Sequence, residues 1–130
     1  MSQEPLSLFT HPVSAGFPSP AEDVIEKKLD LNDLLITHPT ATFFVRVQGE
    51  SMIGAGILEG DILVVNRALT PTEGKIVIAI VHGEFTVKRI SFKDNHLLLL
   101  PENPQFQPII INEESDCTIW GVVTYAIHSL

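Results

Sequence analysis

The sequence predicts a mainly β fold: a compact sandwich- or barrel-like domain with short N-terminal helices and an extended arm. Three observations carry this. From Thr42 onward, short runs rich in Val, Ile, Phe and Thr follow one another, each bounded by turn residues. With 130 residues, 45% of them apolar and 18% charged, the chain can bury one core and is too short for two ordinary domains. The first twenty residues carry Pro5, Pro12, Pro18 and Pro20, and proline removes backbone donors and restricts the residue before it. Residues 1–20 are therefore expected as an arm, and residues 21–130 as the β-rich domain.

The elements follow in order. Ser19-Pro20-Ala21-Glu22 has the pattern of a capping box with proline at the first helical position, predicting a short helix to about Leu29. Its buried side would carry Val24, Ile25 and Leu29. Asp30 can cap a second short turn holding Leu31, Leu34 and Leu35, which His38-Pro39 ends. Strands are predicted over Thr42–Val47, Asp61–Asn66, Lys75–Val81, Glu84–Ile90, His96–Leu100, Pro108–Ile111 and Thr118–Ile127. The intervening turns hold Gly54, Gly56 and Gly60, then Pro71 to Gly74, then His82-Gly83, then Asp94-Asn95. The two-residue link His82-Gly83 predicts a hairpin between its flanking strands.

Charge and composition exclude several function classes. Sixteen acidic against eight basic side chains give a net charge of −8. Such a surface is unsuited to binding a nucleic-acid backbone or an anionic membrane directly, since both need clustered Lys and Arg. The single cysteine, Cys117, leaves no internal disulfide and no cysteine-based zinc site, which fits a cytoplasmic protein; Cys117 itself reads as a small core residue. No run approaches the ~20 apolar residues of a membrane span, and the first residues lack a signal peptide's pattern. His11, His38, His82, His96 and His128 are scattered without metal-ligand spacing, so no metal is expected. No cofactor is expected either, because nucleotide- and dinucleotide-binding fingerprints are absent. Glu113-Glu114 reads as a solvated loop.

Two segments remain. Gln48-Gly49-Glu50-Ser51-Met52 places a serine just after a strand, at a glycine-assisted turn that could lift its hydroxyl clear of the sheet. Glu84-Phe85-Thr86-Val87-Lys88-Arg89 places a lysine within an apolar strand, where alternation sets Thr86, Lys88 and Ile90 on one face. On residue types alone, a turn serine and a snorkelling strand lysine account for both.

With these segments the chain resembles the LexA/UmuD family of self-cleaving Ser–Lys proteins. The matching stretches are Val47-Gln48-Gly49-Glu50-Ser51-Met52, Leu58-Glu59-Gly60-Asp61, Gly83-Glu84-Phe85-Thr86-Val87-Lys88-Arg89 and Leu99-Leu100-Pro101-Glu102-Asn103. They fall in the family's order, and the serine-to-lysine separation agrees. Gly16-Phe17-Pro18-Ser19-Pro20, Asp30-Leu31-Asn32 and Leu34-Leu35-Ile36 are similar to the UmuD branch.

The resemblance implies a LexA-like catalytic fold and a serine peptidase acting mainly on itself. Ser51 would be the nucleophile, Lys88 the general base and Ala15-Gly16 the bond cut, with the backbone N–H groups of Glu50 and Ser51 as the expected oxyanion donors. It also implies a homodimer, cutting stimulated by the RecA filament on single-stranded DNA, and service to a UmuC-like Y-family translesion polymerase in the SOS response. The fifteen residues ahead of Gly16 are too few for a repressor's DNA-binding domain. Alternatives in view are a non-catalytic β interaction module, a detached self-cleaving domain of a phage-type repressor, and a signal-peptidase-like enzyme, which would usually need a membrane anchor.

Overall fold

The computed structural model describes residues 6–10, 12–18 and 26–130, which divide into two compact units, 1–37 and 38–130. In the first unit, β1 (Leu6–Phe9) pairs antiparallel with β2 (Glu26–Leu29), Leu6 opposite Leu29. The last turn of the helix expected to reach Leu29 is therefore a strand; its expected start, 19–25, lies outside the described residues. One turn of helix has little stability of its own, whereas pairing with β1 occupies the same backbone groups in a ladder. The short helix α1 (Leu31–Leu35) follows as anticipated, with the Asp30 carboxylate accepting from the Asn32 N–H at 2.9 Å.

The second unit is built on one seven-stranded antiparallel sheet. Its strands are β3 (Thr42–Arg46), β4 (Ile62–Asn66), β5 (Ile76–Val81), β6 (Glu84–Lys93), β7 (His96–Leu100), β8 (Ile109–Ile111) and β9 (Cys117–Ile127). They lie in the order β3-β4-β9-β5-β6-β7-β8. Every strand expected from Thr42 onward is present; His96–Leu100 has the expected ends, and each of the others has one end moved by one to three residues. His82 and Gly83 both have positive φ (49° and 81°), as do Asp94 and Asn95 (51° and 63°), the left-handed geometry of tight two-residue hairpin turns.

The strand order is not legible in the sequence. β9 enters between β4 and β5, pairing with one through its second half and the other through its first. Register shifts at Val64/Val65 and Ile78/Ala79 mark bulges there, and a bulge bends and twists its strand. The sheet curls accordingly. β3 and β6 are four spacings apart, ~19 Å in a flat sheet, yet both line one cleft floored by Leu63 and Ile78. Apolar residues fill both faces. Met52, Ile57, Leu63, Val65 and Ile78 form one buried cluster, and Val77, Ala79, Ile90, Leu99 and Val122 another. The run Val77-Ile78-Ala79 alternates between them, which is why β5 reads as continuously apolar.

Candidate active site

The loop leaving β3 is held along its length. The Val47 N–H donates to the Asp61 carbonyl and the Gly60 N–H to the Val47 carbonyl, both at 2.9 Å. Gly49 has φ +93°, a conformation that side chains rarely adopt, and its N–H reaches Glu59 Oε1 at 3.2 Å. Beyond it, Met52 is sunk into the core at 1% exposure and starts a 3-10 turn over Ile53–Ala55. Ser51 is caught between the glycine turn and the buried methionine, half-buried and lining the cleft.

Lys88 comes from the middle of β6, opposite the fully buried Val77. Its side chain is itself buried, and among the described residues its Nζ has three partners: Thr86 Oγ1 at 2.8 Å, Ser51 Oγ at 3.0 Å and the Val87 carbonyl at 3.1 Å. Among the same residues no carboxylate forms an ion pair with it. Desolvation alone therefore acts on its charge and pushes the lysine below its ordinary pKa. The partner set suits a neutral amine: Val87 can only accept, Thr86 can accept, and the Ser51 hydroxyl can donate to the nitrogen lone pair.

The cleft at this site has a volume of about 360 Å³, with Val45, Arg46, Val47 and Gln48 on one side and Phe85, Thr86 and Val87 on the other. Its lining mixes apolar side chains with the polar ones of Arg46, Gln48, Ser51 and Thr86. At this cleft a nucleophile lies within hydrogen-bonding distance of a buried base, the geometry from which a hydroxyl can be activated.

The structure thus brings Ser51 and Lys88 together. Among the described residues, the N–H groups of Glu50 and Ser51 donate to no protein acceptor. Ala15 and Gly16 lie in the first unit, exposed and in a bend where the Gly16 N–H meets Ser14 Oγ at 3.3 Å. Strand alternation puts Thr86 on the lysine's face, but it does not reveal the contact with Nζ. Glu102 and Asn103 also clasp the serine loop, the Glu102 N–H bonding the Ser51 carbonyl and Asn103 Nδ2 the Glu50 carbonyl; sequence reasoning misses this contact, and its only signal is the Leu99–Asn103 stretch.

The remaining candidates have ordinary settings. Glu113 and Glu114 are exposed, and Cys117 is half-buried beside the second cluster, its thiol pushed up mainly by burial. His128 Nδ1 pairs with Asp61 Oδ1 at 2.7 Å. No helix among the described residues is long and apolar enough to cross a membrane.

Residues 7–124 match the peptidase S24-like family. The chain is 49% identical over 122 residues to Protein ImpA of Salmonella typhimurium, spanning 93% of this chain and 82% of that protein. It is 50% identical over 130 residues to Protein SamA of Salmonella typhimurium strain LT2, spanning 97% and 90%. To Protein MucA of Escherichia coli it is 44% identical over 116 residues, spanning 88% and 79%.

Proposed function

The chain belongs to the peptidase S24-like family, and on that premise we propose that it is a UmuD-like protein of the SOS response that cuts its own Ala15–Gly16 bond. The observation that carries this is a buried lysine amine 3.0 Å from a serine hydroxyl, with no carboxylate among the described residues to hold its charge. In the reaction, the Ser51 oxygen attacks the Ala15 carbonyl carbon while the neutral Lys88 amine takes the hydroxyl proton. The Ser51 N–H, assisted by that of Glu50, stabilises the oxygen as it gains charge. As the intermediate collapses, the C–N bond breaks and Lys88 returns the proton to the Gly16 nitrogen. Residues 1–15 are left as an ester on Ser51. Water, deprotonated by the same amine, then hydrolyses it.

The RecA filament on single-stranded DNA is the stimulus, acting by favouring the state in which the scissile bond meets Ser51. The product, residues 16–130, works as a homodimer and as accessory subunit of a UmuC-like Y-family polymerase. A net charge of −8 supports contact with DNA through these partners rather than directly. The test is intact-mass analysis after incubation with RecA, nucleotide and single-stranded DNA. A single new N-terminus at Gly16 is expected; a different new terminus, or none, overturns the reading. Gly16→Val should block the cut and leave the fold unchanged, because a Cβ at Gly16 meets no atom within 4 Å.

A further inference from the structure

The segment after β7 grips the serine loop. The Glu102 N–H donates to the Ser51 carbonyl at 2.7 Å, and the Gly54 N–H donates to the Glu102 carbonyl at 2.7 Å. Next to it, Asn103 Nδ2 donates to the Glu50 carbonyl at 3.0 Å. Asn103 is 8% exposed, and its Oδ1 accepts from the Gln105 N–H at 3.0 Å. Because a backbone N–H can only donate, that second bond fixes which end of the carboxamide faces Glu50. The two peptide units flanking the Ser51 Cα are thus each pinned by one residue of the pair Glu102–Asn103, which fixes the φ and ψ of Ser51.

The Glu50–Ser51 peptide matters chemically. It is trans, so its carbonyl and its N–H point in opposite directions. Asn103 holds the carbonyl at 3.0 Å, with a longer bond from the Ile53 N–H at 3.4 Å, and the oppositely directed Ser51 N–H has no acceptor among the described residues. We propose that Asn103 is a positioning residue for the cut: by holding the Glu50 carbonyl it aims the Ser51 N–H at the oxygen of the scissile carbonyl. The inference rests on Ser51 as nucleophile. It gives the Leu99–Asn103 stretch a task that the serine and lysine leave unassigned.

The experiment measures activator-free cutting of the full chain against pH for wild type, Asn103→Asp, Asn103→Ala and Ser51→Ala, with thermal melting of each. Asn103→Asp discriminates most sharply, since it keeps the size and the acceptor for Gln105 but its carboxylate cannot donate to Glu50. Removing a whole oxyanion donor costs about 10²–10³ in rate. Misaiming one should lower the limiting rate at high pH about ten- to hundredfold. In Asn103→Ala the midpoint of the pH profile should stay where it is in wild type, because Lys88 keeps all three of its partners; Asn103→Asp adds a carboxylate near the amine, which raises the midpoint by itself, so that variant is read by its limiting rate at high pH alone. Wild-type limiting rates in both Asn103 variants overturn the proposal. A slowdown in Asn103→Ala that comes with a moved midpoint also overturns it, since Asn103 would then act through Lys88. Should Asn103→Ala fail to fold, the limiting rate of the isosteric Asn103→Asp decides: a ten- to hundredfold loss supports the proposal and a wild-type rate overturns it. Ser51→Ala reads the underlying assignment separately: a wild-type rate there overturns the nucleophile itself, whatever the Asn103 variants do.

Discussion

The Lys88 amine stands 3.0 Å from the Ser51 hydroxyl at the end of a side chain that is 8% exposed, opposite a valine that is fully buried. A charged ammonium there loses hydration that no carboxylate among the described residues replaces, so the fold favours the neutral amine. Base strength at ordinary pH and a stability cost both follow from that one placement.

The first prediction concerns pH. With its pKa lowered, Lys88 loses its proton in the folded chain below the ~10.4 of a free lysine. Activator-free cutting should accelerate from roughly pH 7 toward pH 10, and Lys88→Met should lower it by at least ~100-fold, the lower range for a lost general base. Between the folded and unfolded pKa values the unfolded chain binds more protons, so this group's contribution to stability rises with pH. Lys88→Met should therefore melt above wild type at neutral pH, with the gap narrowing as pH rises. A flat wild-type cutting profile, or an identical rise in the variant, removes Lys88 from the base role.

Ser51→Ala should separate catalysis from folding. The hydroxyl is one of three partners of the lysine among the described residues, and Thr86 and Val87 remain after it is gone. Unfolding free energy should change by no more than about 1 kcal/mol, the scale of one hydrogen bond, while cutting disappears. Denaturant titration and a cleavage time course on one preparation check both halves.

Gly54→Ala should strike the clasp itself. A Cβ at Gly54 would come 2.5 Å from the Glu102 carbonyl oxygen, a backbone atom already engaged by the Gly54 N–H at 2.7 Å. Overpacking of this kind costs typically about 1–3 kcal/mol. Displacing Glu102 also loosens the Ser51 carbonyl that its N–H holds, so melting temperature and cutting rate should fall together. An unchanged rate in a well-folded Gly54→Ala protein would contradict this.

The acid limb of stability should depend on Asp61. Its buried carboxyl is held below the usual range chiefly by the Leu58 N–H at 2.8 Å, with His128 adding to the effect and burial opposing it. A depressed carboxyl stabilises the fold above its unfolded pKa of ~3.9 and loses that contribution as pH falls through the lower folded value. Asp61→Asn should therefore melt below wild type at pH 7, with the difference shrinking below about pH 4. Parallel melting curves across that range would contradict the assignment.

Much of this molecule is legible in its residues. Strands β3 to β9 announce themselves because β-branched runs are bounded by turn chemistry that only a few residues supply, as at His82-Gly83 and Asp94-Asn95. The helix expected to end at Leu29 fails at its C-terminal end because a distant segment, Leu6–Phe9, offers a ladder that no local pattern reveals. Ser51 and Lys88 stand out only through the order of the stretches around them, since one serine at a turn and one lysine in a strand are ordinary.

What the sequence determined by itself was local: which segments extend, where the chain turns, which residue types stand ready for chemistry, and a net charge that disfavours direct contact with DNA. What only the tertiary structure decided was proximity. Insertion of β9 between β4 and β5 curls the sheet until β3 and β6 share one cleft, and it is this curl that sets a lysine against a serine 37 residues away. The clasp of Glu102 and Asn103 on the serine's two peptide units belongs to the same class. Its Glu102 half is made of backbone bonds, whose donors and acceptors are the same in every residue but proline, and its Asn103 half is one carboxamide whose partner depends on where the folded sheet delivers it.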